Sequence, residues 1–82
     1  MATSDYETKA TARVVRGALV TAGVTHAQAA EVLGLPVGTL RLRLYGRSQF
    51  TMEELVRIAE MCSLTASELV ERVEKLLGGE AA

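Results

Sequence analysis

Apolar residues recur at helical spacing in five stretches of the chain, and recognisable punctuation opens and closes most of them. A Ser or Thr followed three residues later by Glu or Gln stands ahead of four: Ser4 to Glu7, Thr25 to Gln28, Thr51 to Glu54 and Thr65 to Glu68. In such a capping box the hydroxyl accepts an amide that the first helical turn leaves without a partner. The longer side chain reaches back to the cap's own N–H. Stops come from Gly23, Gly34, Gly46 and the Gly78-Gly79 pair, because glycine enters the left-handed conformation without a Cβ clash. The pattern predicts helices over 5–22, 26–33, 37–45, 52–61 and 66–77, with a frayed tail over 78–82. Strand-like alternation is confined to Leu40-Arg41-Leu42-Arg43-Leu44, too short and isolated to build a sheet. The expected fold class is all-α, a compact five-helix domain.

The faces of these helices divide the work. Helix 1 places Val14, Ala18 and Ala22 on one side with Val15 and Leu19 beside them, while Lys9, Arg13 and Arg16 form a basic stripe. Helix 4 offers Leu55, Ile58, Ala59 and Met61 to the core, and helix 5 offers Leu69, Val73, Leu76 and Leu77. Val70 widens that last stripe beyond what one core face needs. Val70, Val73 and Leu77 are therefore candidates for a homodimer contact, with burial inside the monomer as the equal alternative.

Length and composition narrow the functional classes. With 82 residues there is room for a single domain over 1–82, its core at about 5–77 and no separate ligand-sensing or self-cleaving domain expected. Hydrophobic residues make up 49% and charged residues 23%, which excludes intrinsic disorder. No apolar run approaches the length of a membrane span, and the first residues lack signal-peptide character, so a cytoplasmic protein in a bacterial host is expected. One cysteine, Cys62, and one histidine, His26, exclude an internal disulfide and a four-ligand Cys/His zinc site. Cys62 is read as a small buried hydrophobe. With no nucleophile–base pair, phosphate-cradling glycine loop or metal cluster, no enzymatic activity, cofactor or small-molecule ligand is expected.

The net charge of −1 hides an uneven distribution. Residues 1–50 carry six cations against three carboxylates, whereas residues 51–82 carry three cations against seven glutamates. A basic half is thus paired with an acidic one.

Helices 2 and 3 are short and joined only by Gly34-Leu35-Pro36, which forces an angle between them of the helix-turn-helix kind. Ala30 is small enough to let helix 3 approach, and Leu40 and Leu44, one turn apart, anchor it. Here the sequence resembles the lambda-repressor/Cro-like helix-turn-helix family of phage and prokaryotic regulators over roughly residues 11–72. The resemblance lies in the 25–34 stretch, in Thr39-Leu40 and Tyr45-Gly46-Arg47, and downstream in 50–60 and 64–69. Two positions depart from it: Pro36 stands where a capping Ser or Thr is common, and Arg43 where Ile or Val is frequent.

The resemblance implies a transcription regulator, a repressor or Cro-like protein, whose partner is a double-stranded DNA operator read by helix 3 in the major groove. Base-reading candidates are Val37, Gly38, Thr39, Arg41 and Leu42. Arg41 leads them, because a guanidinium can bond guanine O6 and N7 together. Backbone candidates are His26 and Gln28 at the start of helix 2, and Arg43, Arg47 and Ser48 around the end of helix 3. Arg43 stands between packing and phosphate contact. Lys9, Arg13 and Arg16 are either a further rail of backbone contacts or a solvated face. His26 is either a surface residue at a helix start or a contact. The alternative function is a protein-interaction module, such as an antitoxin or a regulator's partner subunit, which the acidic second half favours.

Overall fold

The computed structural model describes the backbone of residues 4–81 and the side chains of residues 5–79. The chain forms α1 (Ser4–Ala22), α2 (His26–Leu33), α3 (Val37–Leu44), α4 (Met52–Met61) and α5 (Ala66–Ala81), with no strand among the described residues. The fold is therefore all-α. Three capping boxes close as their spacing predicts. Thr25, Thr51 and Thr65 each accept the amide of the residue three on at 3.1 Å. Their own amides donate to the Gln28, Glu54 and Glu68 side chains at 2.8–2.9 Å. The Ser4 side chain of the fourth expected box lies outside the described residues.

Three boundaries differ from the sequence expectation, and the first is the start of α1 at Ser4, one residue early. α3 ends at Leu44, with Tyr45 as its cap. α5 does not stop at Gly78 and Gly79 but continues through them to Ala81; a helical backbone tolerates glycine at a modest cost, and neither glycine has positive φ. Ala82, the last residue of the expected frayed tail, lies outside the described residues.

The core is drawn from every helix: Val15, Ala18 and Leu19 of α1, Ala29 and Ala30 of α2, Leu40 and Leu44 of α3, Ile58 and Ala59 of α4, and Leu69 of α5. Each buried Val, Leu or Ile contributes about 1.5–3 kcal/mol relative to exposure. The alanines let backbones approach closely. The buried side of α1 is rotated from the expected one: Ala12 is fully buried with Val15 and Leu19, whereas Ala22 is exposed. α5 lies along α1, and α2 and α3 pack on each other across the three-residue turn 34–36.

Candidate nucleic-acid interface

α3 starts without a side-chain cap. Pro36 is its N-cap, with φ −60° and ψ 145°, and makes no side-chain hydrogen bond there. The proline pre-sets the turn but has no hydroxyl to offer the first-turn amides of Val37, Gly38 and Thr39. Leu40 and Leu44 are fully buried and hold the helix by one face. Gly38, Arg41, Leu42 and Tyr45 follow at helical spacing on the other and are exposed.

Among the expected base readers, Gly38, Arg41 and Leu42 are thus on the open face, Leu42 at 51% exposure. Val37 is half-buried and packs against the core, and Thr39 is half-buried. Arg41 and Arg47 are exposed, and no ion pair or hydrogen bond from either side chain reaches a described residue. No Asp or Glu occurs between Val32 and Met52. The two exposed guanidinium groups therefore have no carboxylate near them in sequence.

The other backbone candidates separate into distinct environments. His26 is half-buried at the first position of α2, and exposed Gln28 spends its carbonyl oxygen on the Thr25 amide. Arg43 does not reach outward. Its Nε donates to Glu54 Oε1 at 2.9 Å, and the two side chains are only 19% and 13% exposed. The same oxygen accepts the Thr51 amide, so one carboxylate caps α4 and ties it to α3. Ser48 Oγ is also turned inward, buried without a hydrogen-bond partner among the described residues. Of the two roles the sequence left open for Arg43, the structure shows the packed one, and the Ser48 hydroxyl expected at a phosphate is turned inward.

The basic stripe of α1 divides as well. Lys9 and Arg13 are exposed, and Lys9 lies 3.8 Å from Asp5, a solvent-exposed pair of little energetic weight. Both line a groove with Tyr6, Ala10, Leu76 and Leu77. Arg16 is half-buried and donates through Nη1 to the Leu44 carbonyl. A cation at the carboxyl end of α3 satisfies an orphan acceptor and suits the negative end of the helix dipole. Its guanidinium also stands 5.2 Å from the centroid of the Tyr45 ring.

Tyr45 and Glu54 are the site residues that sequence reasoning missed. Tyr45 carried a signal, an aromatic between two arginines on the line continued from Gly38 and Arg41. Glu54 carried none beyond its capping role, because its pairing with Arg43 depends on how α3 meets α4. The expected dimer residues also part company: Val70 is 38% exposed, whereas Val73 and Leu77 are half-buried. Met52 of α4, which lines a groove with Val70, and Val56 of the same helix are exposed at 63% and 39%. Cys62 is half-buried rather than enclosed; burial pushes its thiol up and Arg72 of α5 pulls it part of the way back. No family model matches the chain, and no curated protein matches it.

Proposed function

We propose that this chain is a sequence-specific duplex-DNA-binding transcription regulator, of the repressor or Cro-like kind its sequence resembles, with α2 and α3 as a helix-turn-helix. The observation that carries this reading is the exposed face of α3. It presents Gly38, Arg41 and Leu42 with two unengaged guanidinium groups, Arg41 and Arg47, in a stretch without carboxylates. An α-helix with its side chains is about 10–12 Å across, which a major groove about 12 Å wide admits. Arg41 is the base reader and Arg47 a phosphate contact; Gly38 lets the backbone come close to the groove.

Binding to duplexes from the gene's own upstream region, measured across a salt series, tests this. The logarithm of affinity should fall with the logarithm of salt with a slope of about −2 to −4, since each phosphate contributes ~0.9. Arg41→Ala should cost about 1–3 kcal/mol and erase site preference. Arg47→Ala should weaken all duplexes alike and reduce the slope by about one contact. Absent or salt-independent binding would favour the alternative, a protein-interaction module. That reading draws its support from the exposed Met52, Val56 and Val70 on the acidic α4–α5 side.

A further inference from the structure

Tyr45 is 55% exposed at the end of α3, although burying an aromatic ring is ordinarily among the more favourable things a small fold can do. It is nevertheless held. The Arg16 guanidinium stands over its ring, and the same group bonds the Leu44 carbonyl, which belongs to the peptide entering Tyr45. One α1 side chain thus fixes both the backbone and the ring of this residue. Tyr45 shares a shallow concavity of about 280 Å³ with Arg41, Leu42 and Arg47. Two guanidinium groups, a phenol and an apolar floor meet there, and no carboxylate lines it.

We infer that this concavity takes one phosphodiester of duplex DNA, with the Tyr45 hydroxyl donating to a phosphate oxygen and Arg16 positioning the ring. The inference rests on the DNA-binding reading and deepens it. The Arg47 guanidinium matches a tetrahedral oxyanion with paired N–H donors, while Arg41 keeps its base-reading role. Tyrosine is among the side chains that donate to phosphate oxygens and so fix a protein's register on a duplex. The apolar floor of Leu42 and the tyrosine ring suits the sugar beside such a phosphate. Arg16 touches no phosphate in this arrangement; it is a positioning residue, and its charge is spent on the α3 terminus.

The chain has two tyrosines and no tryptophan, so a Tyr6→Phe protein reports on Tyr45 alone by its fluorescence. Titrating a mixed-sequence duplex at low ionic strength into this protein should change the Tyr45 emission in step with binding followed independently on labelled DNA. Tyr45→Phe should bind about fivefold to tenfold more weakly, the loss of one hydrogen bond to a charged group at an exposed site. Its salt slope and thermal midpoint should stay as in the parent. Arg16→Met, in the Tyr6→Phe background, should lose the emission response while keeping the parent's salt slope. Circular dichroism confirms that it folds, and Tyr45→Phe carries the test if it does not. Unchanged affinity of Tyr45→Phe together with an emission blind to DNA would overturn the inference and leave the DNA reading intact. No duplex binding by the parent, or an emission response to polyglutamate alone, would overturn both.

Discussion

Four helices of this chain are followed within two residues by one with positive φ, and three of those residues are glycine. Gly23, Gly34 and Gly46 have φ of 71°, 70° and 77°, and Ser63 takes the same role after α4 at 59°. In each case the following amide returns to a carbonyl five residues back: Val24 to Leu19, Leu35 to Ala30, Arg47 to Leu42 and Leu64 to Ala59, at 2.8–3.0 Å. Serine there bears a Cβ penalty of about 1–2 kcal/mol that glycine avoids, offset by glycine's larger entropy loss of roughly 0.5–1 kcal/mol. Ser63→Gly should therefore raise stability by about 0.5–1 kcal/mol. Gly34 and Gly46 separate backbone strain from crowding. A Cβ at Gly34 meets nothing within 4 Å, whereas one at Gly46 meets Lys9 Cγ at 2.8 Å and Lys9 Cα at 3.2 Å. Gly34→Ala should cost about 1 kcal/mol and Gly46→Ala about 2–4 kcal/mol, because the second also pushes α1 away from the end of α3. Denaturant midpoints measure all three, and equal losses at the two glycines would show that Lys9 simply moves aside.

At the scale of elements, the orientation of α3 is set from both sides by arginines. Arg16 holds its carboxyl end to α1, and Arg43 holds its flank to the start of α4 through Glu54. Removing one member of a largely buried pair leaves the other without its partner. Arg43→Ala should therefore destabilise by about 1–3 kcal/mol, less than the ~3–5 kcal/mol of a fully buried pair because Glu54 retains the Thr51 amide. Arg43→Met combined with Glu54→Gln should recover to within about 1 kcal/mol of the parent, since glutamine still completes the capping box and methionine replaces the buried stem. The double variant should also keep the parent's salt slope on DNA. A slope reduced by one contact would put Arg43 at a phosphate and break the assignment made from its pairing.

At the scale of the whole molecule, charge is sorted by element: the 32–52 stretch holds three arginines and no carboxylate, while α4 and α5 hold seven of the nine glutamates. On the proposed DNA-binding reading, such sorting would orient a duplex toward α3 and away from the glutamates. The environment of Cys62 is likewise a product of several elements, because its pocket is walled by Ala18, Thr21 and Ala22 of α1 and by Arg72 of α5. Burial outweighs the Arg72 charge and holds the thiol above its ordinary value. The neutral form is favoured in the folded chain, so this contribution to stability is full below the thiol's unfolded value and is lost as pH rises through the folded one. Alkylation of Cys62 should accordingly show a midpoint at higher pH in the folded protein than in denaturant. A midpoint equal or lower would mean that Arg72 dominates.

The local content of the fold was determined by the sequence alone. The capping boxes at Thr25, Thr51 and Thr65 and the turns at Gly23, Gly34 and Gly46 need only residues within five positions of one another. Their chemistry is therefore written contiguously in the chain. The exposed line of α3 was legible for the same reason, since Leu40 and Leu44 declare the buried face and leave Gly38 and Arg41 on the other. What only the tertiary structure decided is the fate of long polar side chains. Arg16, Arg41, Arg43 and Arg47 are the same residue type in similar surroundings of sequence. Two are drawn inward, to Leu44 and Glu54, and two, Arg41 and Arg47, make no ion pair or hydrogen bond to a described residue. A guanidinium on a flexible stem goes to whichever acceptor packing brings near, and that acceptor belongs to another helix.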